Sequence, residues 1–145
     1  MTDLPTAWAE IADDFGAMTP SERLQLLLEF SEELPDLPER WVDHRDAMEP
    51  VPECQTPLFL AVEVDAHDRV HLFFDAPREA PTTRGFAGIL HAGLDGLPTQ
   101  EVLAVPDDAP LRLGLGEAVS PLRLRGMVAM LGRIKRQLRV RTAAG

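Results

Sequence analysis

Two runs of strict apolar alternation, separated by a short polar segment, constrain this chain more than any other feature in it. Leu58, Leu60, Val62 and Val64 occupy every second position, Asp65-Ala66-His67-Asp68 interrupts, and Val70, Leu72 and Phe74 resume the spacing. A period of two puts these side chains on one face of an extended strand, so the pattern predicts a β-hairpin with a single buried face. A lone hairpin is marginal in water, and further elements have to cover its apolar side. Met48 to Val51 supplies a candidate third strand. Its neighbouring prolines confine it to an edge, where a missing backbone donor is tolerated.

The cover is helical. Trp8, Ile11, Ala12 and Phe15 recur at helical spacing, with Thr6 as the expected cap and Gly16 as the stop. Thr19-Pro20-Ser21-Glu22 combines a capping box with proline at the first helical position, and Pro35 ends the helix it starts. Leu24, Leu27, Leu28 and Leu34 are its expected buried side, opposite Glu22, Glu29, Glu32 and Glu33. Phe86, Ile89, Leu90 and Leu94 mark a helix over 81–94. Gly85 and Gly88 inside it each cost about 1 kcal/mol relative to alanine, a cost that close packing against the sheet would explain. Thr99 to Val105 reads as a short helix, and Leu111 to Ala118 fits either a strand or a helical turn. Ser120-Pro121 opens a last helix with the stripe Leu124, Met127, Val128, Leu131, Ile134 and Leu138. Together the elements predict one α+β domain over 1–145, a small antiparallel sheet of about three strands under helices, with the last few residues a disordered tail.

Composition excludes several functions. A net charge of −10 argues against general nucleic-acid binding, which needs cationic patches. No apolar run approaches the ~20 residues that cross a bilayer, and Met1 to Pro5 lacks the start of a secretory signal, so a cytoplasmic protein without membrane contact is expected. The charge is uneven. Acids crowd the region before Asp65, while the segment from Pro121 carries seven cations and no acid, a polarity that can steer a protein partner. The single cysteine, Cys54, rules out an internal disulfide or a multi-thiolate metal site built from this chain alone. His44, His67, His71 and His91 show no metal-ligand spacing, and no phosphate-binding or dinucleotide motif is present.

Cys54 closes a long Pro-rich connection, from Pro35 to Pro57, just before the hairpin. Long loops in compact domains tend to carry function. Two readings of the residue stand: a buried structural thiol, or a reactive one. Reactivity needs the thiolate, and a nearby cation would favour it. Arg123 is the candidate helper, because a cation in the first turn of a helix opposes the dipole by roughly 0.3–1 kcal/mol and invites an anion partner. Glu53 acts the other way. A hydrolytic pairing of Cys54 with His91 or His44 stays open as an alternative.

The segment Val51-Pro52-Glu53-Cys54-Gln55-Thr56, followed by the hairpin and then by Ser120-Pro121-Leu122-Arg123, resembles the SufE family, whose motifs read Val-x-Gly-Cys-Gln-Ser and Ser-Pro-x-Arg. The likeness extends over nearly the whole chain. It implies the fold shared by SufE and the iron–sulfur scaffold proteins, and a role as sulfur acceptor for a SufS-like cysteine desulfurase. Cys54 would take the sulfur as a persulfide and Arg123 would stabilise the anionic sulfur, with Gln55 and Thr56 shaping the loop. The pyridoxal phosphate would belong to the desulfurase, leaving this chain without cofactor or metal. An iron–sulfur scaffold would be the downstream recipient, and the protein would be a monomer or weak dimer and not an independent catalyst. A non-catalytic regulator that binds the desulfurase without carrying sulfur is the alternative. Three departures stand out: Glu53 replaces the family's glycine, Pro57 and Phe59 replace the usual residues after the motif, and Arg125 stands where asparagine is common.

Overall fold

A computed structural model describes residues 4–144, with side chains to residue 141. The hairpin forms as the alternation requires. β2 (Phe59–Val64) pairs antiparallel with β3 (Val70–Asp75), placing Leu60 opposite Phe74, Val62 opposite Leu72 and Val64 opposite Val70. All of these but Val64 are buried. The connecting turn runs one residue further than the spacing suggests, because the Asp65 Oδ1 accepts from the backbone N–H of both His67 and Arg69. β1 (Glu49–Pro50) adds the expected edge strand, giving the order β1-β2-β3.

The helices lie close to their expected bounds. α1 (Thr6–Gly16) buries Trp8, Ile11 and Phe15, but Pro5 occupies its cap position and Thr6 is already helical. α2 (Pro20–Glu33) has the full capping box, with Thr19 and Glu22 each accepting from the other's backbone N–H. Its inward side is rotated from the expected one. Leu27, Ser31 and Leu34 are buried, whereas Leu24 is exposed. A short α3 (Glu39–Val42) sits in the Pro-rich connection and packs over the outer face of the sheet. There Trp41 lies against Phe73 and donates its indole N–H to Glu63 at 3.0 Å, with the Arg40 guanidinium over the Phe73 ring.

α4 (Pro81–Leu94) is buried from Thr83 to Leu90 and forms the centre of the molecule. It lies along β3 on one side and against α1 and α2 on the other. Its glycines therefore serve a different contact from the one expected. A Cβ at Gly85 would fall 2.6 Å from the Leu27 carbonyl oxygen, and one at Gly88 2.2 Å from that of Phe30, so the close approach is to α2 and not to the sheet. α5 (Thr99–Ala104) follows, and the ambiguous segment resolves into two 3-10 turns, Ala109–Arg112 and Leu115–Glu117.

α6 (Pro121–Ala144) starts at the Ser120 cap and buries the predicted stripe, except that Val128 is only partly covered and Met130 and Lys135 are buried as well. Its backbone is helical through Ala144, within the stretch expected as a tail, and Gly145 lies outside the described residues. α6 runs along β2, where the two-residue β1 leaves the edge beyond Leu60 open. Gln137 accepts from the Val62 N–H at 3.2 Å and Arg141 donates to the Val62 carbonyl at 2.6 Å, so helix side chains satisfy the bare edge. No helix among the described residues is long and apolar enough to cross a membrane.

Candidate functional site

Cys54 ends a 3-10 turn, Pro52–Cys54, that bridges β1 and β2. The turn stands on Val51 and Leu58, both buried, with the Val51 N–H donating to the Leu58 carbonyl at 2.9 Å. Within it the Cys54 N–H donates to the Val51 carbonyl at 3.1 Å and the Gln55 N–H to that of Pro52 at 3.0 Å. Gln55 then takes a left-handed conformation, φ 61°, which reverses the chain into β2. A side chain at positive φ is mildly strained, so Gln55 shapes the loop by its backbone while its side chain is exposed. Thr56 fastens the way out, its hydroxyl 3.1 Å from that of Thr83 on α4.

The turn leans on α6. A Cβ added at Gly126 would sit 3.1 Å from both the Cα and the Sγ of Cys54, a tight approach that the glycine relieves, so the thiol rests directly on the helix backbone. Cys54 is half-buried as a result. Glu53 points along the same helix to Arg133, with Oε1 at 2.9 Å from Nη2 and Oε2 at 3.1 Å from Nη1, a bidentate pair. Arg133 also approaches Glu49 of β1, Nε to Oε2 at 3.4 Å, and Glu49 is bound in turn by Arg136 and Gln137. The arginine spans the base and the tip of the cysteine loop.

These neighbours set the thiol's acidity. Burial pushes the Cys54 pKa up to about 11; the Glu53 charge adds to the rise and the Arg133 charge opposes it. Glu53 is held below the ordinary carboxylate range by its own backbone N–H and by Arg133. Arg123 lies one turn before Gly126 and so on the same side of α6 as the thiol's seat. It is exposed, and the Arg133 charge opposes the rise of the thiol's pKa. Sequence reasoning passed over Arg133 and Gly126, since a basic residue and a glycine in a long helix carry no motif. Their spacing of seven residues, two helical turns on one face, was the available signal.

The histidines stand elsewhere. His91 and His71 flank Asp95, at 3.5 and 3.6 Å, beside a cavity of about 160 Å³ lined also by Leu34, Leu37 and Phe74. His71 also meets Asp65 at 2.8 Å, which raises its pKa. His44 is exposed beside Trp41 and Glu63. Among the described residues no group of three or more His, Cys, Asp or Glu side chains is placed to hold a metal.

The chain is 57% identical over 136 residues to an uncharacterized SufE-like protein of Mycobacterium tuberculosis, covering 94% of each. It is 26% identical over 130 residues to SufE-like protein 1, chloroplastic/mitochondrial, of Arabidopsis thaliana, spanning 34% of that longer chain. The solution structure of a hypothetical protein from Thermus thermophilus superposes with a TM-score of 0.82 at 38% identity, covering 94% of this chain and 96% of that one. The SufE family model, the Fe-S metabolism associated domain, matches residues 9–138. The chain belongs to the SufE family and has the family's α+β fold, with a role in iron–sulfur metabolism.

Proposed function

We propose that this protein is a cytoplasmic sulfur carrier: Cys54 accepts sulfane sulfur from a pyridoxal-phosphate-dependent cysteine desulfurase and delivers it to iron–sulfur cluster assembly on a scaffold protein. The observation that carries the reading is the placement of the single cysteine of a SufE-family chain on a half-buried, strand-to-strand turn. In the reaction Cys54 first loses its proton to solvent. Its thiolate attacks the outer sulfur of the desulfurase persulfide, a new S–S bond forms at Cys54 Sγ, the old S–S bond breaks, and the desulfurase cysteine leaves as a thiolate. On this reading Arg123, exposed on α6 one turn before Gly126, stabilises the anionic persulfide as the partner approaches. The desulfurase supplies the carbon–sulfur bond cleavage, and this chain is accessory to it.

Mass spectrometry tests the proposal. After incubation with the cognate desulfurase and cysteine under non-reducing conditions, one added sulfur atom is expected on Cys54, and none on Cys54→Ser. Desulfurase turnover without an adduct on Cys54 refutes the carrier.

The high pKa of the thiol and the carboxylate beside it favour a second reading, a regulator that binds the desulfurase without taking sulfur. On that reading Cys54→Ser stimulates the desulfurase as well as the unaltered protein does.

A further inference from the structure

The cysteine turn touches α6 at two points that are independent of each other. One is the contact of Cys54 with the bare backbone at Gly126. The other is the two-pronged ion pair between Glu53 and Arg133. Gly126 and Arg133 are two helical turns apart, about 10 Å along the axis, so the turn is supported at both ends of its footprint. The same guanidinium faces Glu49, the first residue of the strand that leads into the turn. A single arginine thus binds the turn where it leaves the sheet and where it presents the thiol.

We infer that Arg133 is a positioning residue, acting through Glu53 as a latch that keeps the Cys54 turn seated on Gly126 and the thiol sheltered. Released from Arg133, the turn loses its ion pair to α6 and keeps only its packing against the helix around Gly126, and Sγ comes within reach of a partner's sulfur. A half-exposed ion pair is strong enough to bias such an equilibrium and weak enough for a docking partner to break. The inference takes its functional meaning from the sulfur-carrier reading, but its test involves no desulfurase, so either can fail while the other stands.

The test combines iodoacetamide alkylation of Cys54 at pH 8 with amide hydrogen exchange at Cys54 and Gln55 in the full-length chain. Arg133→Met removes a cation whose charge favours the thiolate, so charge alone makes alkylation slower. Release of the latch makes it faster. We expect a rate about two- to fivefold higher, with amide exchange accelerated by a similar factor, the range a partly exposed pair supports. Glu53→Gln, at an exposed turn position, also accelerates exchange. In amide exchange the double variant goes no further than Arg133→Met, because that substitution has already removed the contact that Glu53→Gln removes. Arg139→Gln, an exposed α6 cation with the same change of charge, leaves both readouts unchanged. Slower alkylation in Arg133→Met with exchange unaltered, or exchange unaltered in Glu53→Gln, overturns the latch.

Discussion

A thiol with a pKa of about 11 is protonated in all but about one molecule in ten thousand at neutral pH, and only the thiolate attacks sulfur. On the sulfur-carrier proposal the free protein is then a resting form, and binding to the desulfurase lowers that pKa or exposes the group. Alkylation of Cys54 is accordingly expected to quicken about tenfold per pH unit from pH 7 to 10 and to level off near pH 11. Glu53→Gln moves the midpoint down, because one of the two causes of the rise is removed, but burial keeps it above the ordinary value of 9. A midpoint near 9 in the unaltered protein contradicts this. The same shift touches stability. With the folded pKa above the unfolded one, the contribution of the neutral thiol is complete below pH 9 and is lost as pH rises from there through 11. Burial comes from the seat on Gly126, so the side chain's chemistry is set by a residue 72 positions away in the sequence.

Among the elements, α4 and α6 show how glycine placement depends on what lies opposite. Gly88 has the Phe30 carbonyl 2.2 Å from where a Cβ would be, and backbone cannot rotate aside as a side chain can. Gly132, on the exposed side of α6, has nothing within 4 Å. Gly88→Ala is expected to destabilise the protein by more than about 2 kcal/mol, through separation of α2 from α4. Gly132→Ala should stabilise it by about 0.5–1 kcal/mol, because only helix propensity changes. Urea denaturation of the pair checks both signs, and equal effects would sink the argument. Both glycines look alike in the sequence: each costs its helix about the same, and only the neighbouring helix distinguishes them.

Across the whole molecule, buried cations tie helix ends and loops to the helices beside them. Arg84, 8% exposed, donates to the carbonyls of Ser31 and Leu34 at the end of α2 and of Ala76 after β3. It serves as the C-cap that α2, ended by Pro35, cannot make for itself. Arg84→Met leaves three carbonyls without that donor and is expected to cost roughly 3 kcal/mol, read from the urea midpoint. An unchanged midpoint would mean that water replaces the arginine. Lys135 likewise reaches Asp107 at 2.7 Å and the Val105 carbonyl, fastening α6 to the segment after α5. Most of the basic stripe on α6 is thus consumed inside the molecule, on Glu49, Glu53, Asp107 and Val62, and Arg123 and Arg125 remain as exposed cations at its start. Sequence alone determined what depends on local periodicity and caps: the hairpin, the edge strand, the starts of the long helices, and the place of Cys54 just ahead of β2. It left open the side of α2 that faces inward, the partner of Gly85 and Gly88, and the cation that governs the thiol. Those depend on which helix lies across from which. A side chain's environment is set by residues tens of positions away, which no local pattern encodes, and for Cys54 the deciding residues, Gly126 and Arg133, are brought beside it only when α6 closes over the open edge of β2.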